Sequence, residues 1–545
     1  MKCKKILASL FSLGLVLSPM CVRADDTVVA ESYSNGSIKT YSDYQSAWIA
    51  AQEGTIIFMM ADWNLTDRLV VSENTSVDIV MNGHKIDRGL GDSREYGGEV
   101  IYLSKGASLI LDGNPDSNTV FGIHGFYKSF NLSYETVTSG GLVTGGASWD
   151  GAGGIHMKEG SSLVLNHVAI SGNLSRTNFV GDGGAIDANN DNCTITMNDA
   201  IISYNASDKG GGIHVSGENT NIEMNNSSSI KKNYAVKYGG GIYSEKDATY
   251  VTMNTNSSIS DNYTSGEGGG VYFKNPYCQI YSPDATASIS NNESEIKGGG
   301  LYLAKSYRGD TARVEGITFD SNKGTKGGAV ISEEKNFSIK NCTFQNNSGE
   351  NGGAIYMNAE NNTISNCTFE ENSVSNEGGA MYNNEDYTTL QDCTIINNYA
   401  EVAGGGVYNA SDVDITIQGK MIIKDNTRAG DYADNLMLDY AWYNFPYVMG
   451  EVSSDSCVGI RTGSTDGTQF GKKITSDGGK EFFLDDSNGY HIRYEDHKLY
   501  RESDSYLGTI FGNTNLGIAV IVMAGICVIG VVALLVNKKK KCEEA

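Results

Sequence analysis

Residues Cys342-Thr343-Phe344, followed three positions later by Asn347, carry the pattern that decides the fold. The pattern returns in Cys367-Thr368-Phe369 and Cys393-Thr394-Ile395, each again followed by asparagine. Alternation with a period of two places the first and third side chains on the core face of a β-strand and the threonine on the opposite face. The stretch therefore predicts short strands that recur at regular intervals.

Two signatures repeat ten times between residues 150 and 430, with successive asparagines 25 to 32 residues apart. In the first, asparagine stands three positions after isoleucine or phenylalanine, at Asn173, Asn205, Asn233, Asn262, Asn292, Asn322, Asn347, Asn372, Asn398 and Asn426. In the second, a glycine cluster precedes an aliphatic residue, at Ile155, Ile186, Ile213, Ile242, Val271, Leu301, Val330, Ile355, Met381 and Val407. A period of this length predicts a solenoid, and the 66 glycines with little helical spacing favour β-strands.

Glycine and asparagine have distinct expected roles in such a coil. Glycine suits turns with positive φ and places where neighbouring coils approach closely. Asparagine tolerates the left-handed region, and its amide can bond to the coils above and below. The sequence therefore predicts an all-β, right-handed parallel β-helix with long sheets around one narrow core.

The paired signatures resemble the repeat of the chlamydial polymorphic outer-membrane proteins (Pmp-type). That resemblance implies a right-handed parallel β-helix on an adhesive surface protein. At the end where those proteins continue into an outer-membrane domain, this sequence has one apolar segment. It is in this respect similar to right-handed β-helix surface proteins of bacteria with one membrane.

Composition shifts along the chain predict its organisation. We expect the following parts: a signal peptide at 1–24, an N-terminal cap at 25–55 with a short helix from Tyr44 to Gln52, a parallel β-helix at 56–431 with regular repeats from about 150, terminal coils and a cap at 432–500, a polar spacer at 501–515, a transmembrane helix at 516–536 and a cytoplasmic basic tail at 537–545.

The two ends predict a single-pass cell-membrane protein with the solenoid outside the cell. Lys2, Lys4 and Lys5 precede an apolar stretch from Ile6 to Leu17, and Val22-Arg23-Ala24 then offers small residues for cleavage after Ala24, as in a signal peptide. Leu516 to Val536 contains 21 residues without a charge, which is long enough to cross about 30 Å of hydrocarbon. Because Lys538 to Lys541 follow at once, the positive-inside rule places the tail in the cytoplasm.

The position after each glycine-signature aliphatic residue is rich in tyrosine. Because the aliphatic side chain faces the core, we expect the next one to face outward. The six candidate binding residues at this position are Tyr243, Tyr272, Tyr302, Tyr356, Tyr382 and Tyr408. They are expected to form a ladder on an exposed sheet, either as a platform for an extended glycan or protein, or as aromatic stacking that only supports the sheet.

Residues 113–150 interrupt the repeat and carry Phe121, Phe126, Tyr127, Phe130, Tyr134 and Trp149. We expect a lateral loop or irregular coil, which either covers a sheet or carries binding.

Cysteine spacing predicts neither a disulfide framework nor a metal site. Cys342, Cys367 and Cys393 share one register that should face the core as small hydrophobic residues, although a disulfide between neighbouring coils stays possible at that spacing. Histidines and CxxC pairs are absent near them, so zinc binding is not expected. No cofactor is predicted.

The formal charge of −24 disfavours nucleic acid and other polyanions as partners. The sequence instead predicts an adhesin or another surface protein whose partner is an extracellular glycan or a protein on a host or neighbouring cell. No catalytic residue is assigned. The enzyme alternative, a polysaccharide lyase or glycoside hydrolase, depends on the grouping of Arg176, Asp182, Asp187, Asp208 and Lys209. A passive surface spacer is the third possibility.

Overall fold

The structure is a computed structural model, and the parts of the chain that it describes are residues 28–34, 37–90, 97–117, 119–149, 151–176, 181–275, 277–305, 312–410, 413–439, 448–453, 455–462, 469–476, 483–487 and 490–503. They form an all-β parallel solenoid of about 13 turns with almost no helix. At about 4.8 Å per stacked strand, the solenoid is about 60 Å long. The predicted signal peptide at 1–24 and membrane helix at 516–536 lie outside the described residues.

Each regular coil contributes strands to up to four stacks, named here sheets 1 to 4 in the order in which the chain enters them. Sheet 1 follows the glycine signature, and its strands are Leu69–Val71, Ile101–Leu103, Ile155–Met157, Ile186–Ala188, Ile213–Val215, Ile242–Ser244, Val271–Phe273, Leu301–Leu303, Val330–Ser332, Ile355–Met357, Met381–Asn383, Val407–Asn409 and Leu436–Leu438. Its strands pair in parallel, coil to coil, with the signature aliphatic residues in register.

Sheet 2 is the next face of each coil. Its parallel strands are Ile57–Met59, Ser76–Val80, Ser108–Asp112, Ser162–Asn166, Thr194–Asn198, Thr220–Asn225, Thr249–Met253, Gln279–Tyr281, Arg313–Glu315, Ser338–Lys340, Thr363–Ser365, Thr388–Gln391, Ile415–Gln418, Val448–Val452 and Gln469–Ser476. Antiparallel hairpins close both ends of this sheet, Ala30–Ser34 with Ser37–Tyr41 at the first coil and Tyr490–Glu495 with Lys498–Ser503 at the last. A hairpin therefore covers the parallel strand at each end of the sheet.

Sheet 3 carries the isoleucine or phenylalanine of the asparagine signature. Its strands are Trp63–Asn64, Lys85–Asp87, Leu142–Thr144, Ala169–Ser171, Ile201–Ser203, Ser229–Lys231, Ser258–Ser260, Ser288–Ser290, Thr318–Asp320, Thr343–Gln345, Thr368–Glu370, Thr394–Ile396, Ile422–Lys424, Cys457–Thr462 and Phe483–Asp485. Sheets 1 and 3 join at the C-terminal end, where Leu436–Leu438 pairs with Cys457–Thr462.

Sheet 4 consists of short strands in two separate stacks, and most of these strands follow a signature asparagine. They are Ala147–Ser148, Leu174–Ser175, Ala206–Lys209, Tyr234–Tyr238, Tyr263–Thr264 and Glu293–Ser294 in the first stack, and Ser348–Asn351, Ser373–Glu377, Tyr399–Ala400, Thr427–Arg428 and Tyr432–Ala433 in the second. Single bridges through Lys323 connect the two stacks.

The glycine signature serves both of its expected purposes, as one coil shows. Gly352 has φ +64°, and a Cβ there would overlap the carbonyl oxygen of Ile355. Gly353 approaches the next coil so closely that a Cβ would overlap the carbonyl oxygen of Gly379. The first glycine therefore permits the turn, and the second permits close stacking.

The signature asparagines form one buried hydrogen-bonded ladder at the corner between sheets 3 and 4. In the middle of the ladder, both the backbone N–H and the side-chain amide of Asn322 donate to Oδ1 of Asn347, at 2.9 and 3.0 Å. The amide of Asn322 also donates to the carbonyl of Ile289 in the preceding coil at 2.8 Å. The bonding between coils is thus confirmed, but the left-handed residue is the one before the asparagine, such as Asn346 at φ 56°.

The ladder runs in one direction, so its last amide needs an acceptor. Asn426 donates to Asn435, and Asn435 donates from its backbone N–H and its side chain to the two carboxylate oxygens of Asp486, at 2.7 and 3.0 Å. Burial raises the pKa of Asp486 to about 6. Asp486 thereby satisfies the donors that the repeat leaves at its end.

The core is the continuous interior of the coils. Phe319, Phe344 and Phe369 are fully buried and stack with ring centroids 4.9 and 4.8 Å apart. Cys342, Cys367 and Cys393 face inward and are buried free thiols, so the inward register predicted for both sets is confirmed. Burial also raises the pKa of the Cys393 thiol, in keeping with an unreactive core position.

The N-terminal end carries one short helix, α1, over Tyr44–Gln52, as the sequence predicted. The Asp43 side chain caps it by accepting from the backbone N–H of Ser46 at 2.7 Å. Trp48 of α1 is buried and donates from its indole to the carbonyl of Val70 at 3.2 Å. Within the described residues, no helix combines the length and apolar composition needed to cross a membrane.

One excursion leaves the repeat, an antiparallel hairpin of Thr119–Gly125 with Ser133–Ser139, named here the lateral hairpin. Its inner face buries side chains against sheet 3 and its connecting segment packs on sheet 4, in two clusters formed by Phe121, Ile123, Val137, Leu142, Ala169 and Tyr204, and by Phe126, Ala147, Leu174, Ala206 and Tyr234. At its tip, Lys128 pairs with Glu293. The hairpin therefore extends along several coils and covers part of the solenoid wall.

Candidate functional site

The predicted tyrosines form a ladder on the outer side of sheet 1, in strand register from coil to coil. Tyr272 and Tyr302 stack with centroids 4.6 Å apart, and Tyr382 lies 4.8 Å from Tyr356 and 5.0 Å from Tyr408. Tyr243 continues the row at 5.3 Å from Tyr272, and Ile331 takes the one rung between Tyr302 and Tyr356. These side chains form clusters of their own, separate from the core, so they do point away from it.

The prediction that this sheet is exposed is wrong. Tyr243, Tyr272, Tyr302, Tyr356 and Tyr408 are at most 7% exposed, and Tyr382 is half-buried. Each ring is covered on its faces by its stacked neighbours.

Two rows of side chains cover the edges of the ladder. On one side, the residues just before the glycine turns contact the rings: the Tyr238 ring packs at a tilt against Tyr272, with centroids 4.8 Å apart, and Lys326 Nζ lies 5.0 Å from the Tyr356 ring centroid. On the other side stand the residues that follow each strand, such as Glu333, which accepts from the Tyr302 hydroxyl at 2.8 Å. The ladder therefore does not present flat ring faces to solvent.

Burial also governs the ionisation of these phenols. It raises the pKa of Tyr382 to about 12, and it raises the pKa values of Tyr243, Tyr272, Tyr302 and Tyr408 further, with nearby carboxylates adding to the effect. The ladder thus stays uncharged at any physiological pH.

At its N-terminal end, the same row changes from tyrosine to His156, Asp187 and His214. Asp187 has no exposed surface, and its carboxylate lies 3.1 Å from His156 Nδ1 and 2.7 Å from His214 Nδ1. His214 stacks on Tyr243 at 5.4 Å, and so joins the charged end of the row to the tyrosines.

Hydrogen bonding within this cluster sets its protonation. Burial alone would raise the pKa of Asp187, but hydrogen bonds from both imidazoles outweigh it and lower the pKa. Burial alone would lower the pKa of His214, but the bond to Asp187 outweighs it and raises the pKa. The three side chains therefore form a hydrogen-bonded contact that is buried between three successive coils, and this contact is ionic below the raised pKa of His214.

The five residues of the enzyme alternative lie close together on two neighbouring coils, and most of them are engaged by contacts within the fold. The Arg176 guanidinium lies 4.2 Å from the ring centroid of Phe130, Asp208 accepts from the backbone N–H of Gly181, and Lys209 pairs with Asp182 at 3.3 Å. Asp187 is enclosed by the two histidines. Among the described residues, no group of three or more His, Cys, Asp or Glu side chains has an arrangement that could hold a metal ion.

The lateral hairpin is the described surface that presents aromatic and aliphatic side chains most openly. Its outer face exposes 73% of Tyr134 and 64% of Val120. Beside it, a cleft of about 160 Å³ lies between the hairpin and sheet 3, and its lining includes His124, Tyr134, Lys85 and Asp87. The sequence indicated Tyr134 only as one residue of a segment that interrupts the repeat. The two strands of the hairpin occur once in the chain, so no repeated pattern predicts their pairing.

Comparison with known proteins supports the fold. Residues 279–435 match the family model of the right handed beta helix region. No curated protein and no solved structure matches the chain. The match and the observed coils together assign the chain to the right-handed parallel β-helix class of fold.

Proposed function

We propose that the protein is a membrane-anchored cell-surface β-helix that acts as an adhesin, binding an extracellular glycan or a protein on a host or neighbouring cell. The anchoring rests on the apolar segment 516–536 and the basic tail in the sequence. The resemblance of the paired signatures to Pmp-type repeats supports the adhesive role. A scaffold about 60 Å long suits the display of a binding surface away from the membrane.

One observation supports the binding role: the lateral hairpin exposes Tyr134 and Val120 to solvent on the side of the β-helix. Exposed aromatic residues on a fixed support are typical of recognition surfaces, because they add contact area with few rotatable bonds. The buried tyrosine ladder, in contrast, supports the sheet.

An enzyme role has less support from the geometry. Asp187 is fully buried and His214 is 1% exposed. A polymeric substrate therefore cannot reach this hydrogen-bonded carboxylate and imidazole. We therefore propose a binding protein without polysaccharide lyase or hydrolase activity. A passive spacer would need no exposed aromatic face on the hairpin.

The test uses the full-length chain in lipid nanodiscs and measures binding to host-cell surfaces, matrix proteins and a glycan array. The proposal predicts saturable binding and no release of unsaturated or reducing sugar ends. Saturable binding to none of these surfaces would favour the spacer, and release of sugar ends that Asp182→Asn abolishes would favour the enzyme.

A further inference from the structure

The outer face of the lateral hairpin has an unusual composition for a strand pair that borders solvent. The strand Thr119–Gly125 presents Val120, Gly122 and His124 outward, and the strand Ser133–Ser139 presents Tyr134, Thr136 and Thr138. In register, His124 faces Tyr134, and Gly122 faces Thr136. This face therefore combines one aromatic ring, one imidazole and two hydroxyl groups beside a residue without a side chain.

The Tyr134 side chain extends across the neighbouring strand of the hairpin instead of projecting away from the hairpin. A Cβ on Gly122 would overlap the Tyr134 hydroxyl oxygen and would lie 2.8 Å from ring atom Cζ. The hydroxyl end of the ring thus lies against the backbone of the neighbouring strand, while 73% of the side chain stays exposed to solvent. Glycine at 122 is what leaves room for this position.

The His124 ring and a cleft adjoin the Tyr134 ring. The His124 ring stands at 72° to Tyr134, with centroids 6.1 Å apart. Next to both runs the cleft between the hairpin and sheet 3, to which Lys85, Asp87 and Thr144 bring an ammonium, a carboxylate and a hydroxyl. Lys85 Nζ donates to Asp87 at 2.8 Å, so the two charges are held together.

The size and chemistry of the cleft beside Tyr134 fit a single sugar ring. A cleft of about 160 Å³ is smaller than the about 300–1,000 Å³ of pockets that enclose drug-sized ligands. A pyranose offers an apolar C–H face that stacks on an open aromatic face, and hydroxyl groups that pair with carboxylate, ammonium and hydroxyl groups at the edge. Because the chain carries a formal charge of −24, an uncharged glycan meets less repulsion than an acidic one.

We infer that the lateral hairpin binds an uncharged glycan, with one pyranose ring stacked on Tyr134 and its hydroxyl groups directed into the cleft lined by His124, Lys85 and Asp87. The inference rests on the proposed adhesive function and specifies its ligand and its site. An exposed tyrosine can also bind a protein, and the test below includes protein binding as one of its outcomes.

The test measures binding of the full-length chain in nanodiscs to immobilised uncharged oligosaccharides and, in parallel, to host-cell surface proteins. Three variants are compared: Tyr134→Ala, Tyr134→Phe, which keeps the ring, and Tyr387→Ala, which removes a tyrosine that is 59% exposed elsewhere on the solenoid. We expect Tyr134→Ala to weaken glycan binding at least about tenfold, Tyr134→Phe by less than about threefold and Tyr387→Ala not measurably.

The outcomes separate this inference from the proposed function. Saturable binding to surface proteins without binding to uncharged glycans would overturn the inference and leave the adhesin proposal standing. Binding to neither would overturn both. Glycan binding that is equal in wild type and Tyr134→Ala would place the ligand elsewhere and overturn the assigned site. Unfolding midpoints of all variants show whether a loss of binding reflects a loss of fold.

Discussion

The regular coils and the lateral hairpin use aromatic and polar residues in opposite ways. In the coils, a residue type that recurs at one position stacks on its own copies, as Tyr272 does on Tyr302 and Asn322 does on Asn347. In the hairpin, Tyr134 has no copy above or below and lies open on Gly122. Repetition therefore accounts for stability in this molecule, and the place where repetition fails is the place that can serve recognition.

The largest expected effect comes from breaking the asparagine ladder in its middle. Asn347→Ala removes the acceptor of two N–H groups of Asn322 and the donor to Phe319 and Asn372, all of them buried. Each buried polar group left without a partner costs about 1–3 kcal/mol, so we expect a loss of about 4 kcal/mol in the free energy of unfolding, measured by denaturant titration. Asn376→Ala, at a half-buried amide outside the ladder, is the control and should cost less than about 1 kcal/mol. Equal losses for the two variants would contradict the ladder's role.

Removing the charge at the end of the tyrosine row should have the next largest effect and should depend on pH. Asp187→Asn leaves His156 and His214 without their shared carboxylate, and breaking a buried pair of this kind costs about 3 kcal/mol.

The sign of the pH dependence follows from the two shifts. The lowered pKa of Asp187 stabilises the fold above the pKa of an unfolded aspartate, about 3.9. The raised pKa of His214 stabilises it below the pKa of an unfolded histidine, about 6.5. The difference between wild type and variant should therefore be greatest between about pH 4 and 6.5 and should shrink as the pH rises further. A difference that grows toward pH 9 would be inconsistent with the ionic contact.

A rung of the tyrosine ladder should matter somewhat less than these polar contacts. Tyr302→Ala removes a buried ring that stacks on Tyr272, and because one side of the ladder borders solvent we expect a loss of about 2 kcal/mol. Tyr302→Phe keeps the stack and loses only the hydrogen bond to Glu333, for about 1 kcal/mol. If Tyr302→Ala were as stable as wild type, the ladder would not be a stabilising element.

The smallest effect on stability is expected in the hairpin. Tyr134→Ala removes an exposed ring and should change the free energy of unfolding by no more than about 0.5 kcal/mol. Phe121→Ala, on the buried inner face of the same strand pair, should cost about 3 kcal/mol in the same titration. A large loss in Tyr134→Ala would mean that the outer face of the hairpin is structural.

The fold was predictable because each rung repeats the same local chemistry. Alternation in Cys342-Thr343-Phe344 determined which side chains face the core, and the glycine signature marked the turns. Exposure of the tyrosines was not predictable from their own positions, since it depends on Tyr238, Lys326 and Glu333, which stand on both sides of the ladder.

Contacts that occur only once in the structure also could not be predicted from the sequence. Asp486 ends the asparagine ladder from 51 residues beyond Asn435, and no local pattern marks it. The hairpin pairs Gly122 with Thr136, and only the folded strands show that Tyr134 rests on that glycine. Residues that act by repetition could therefore be found from the sequence, whereas residues that act by a single long-range contact could not.

The most direct test compares the two regions in one binding assay on the full-length chain, with Tyr302→Ala and Tyr134→Ala measured side by side at a temperature where both are folded. The account predicts that Tyr302→Ala lowers the unfolding midpoint and binds like wild type, and that Tyr134→Ala keeps the midpoint and loses binding. Loss of binding in Tyr302→Ala together with normal binding in Tyr134→Ala would contradict it.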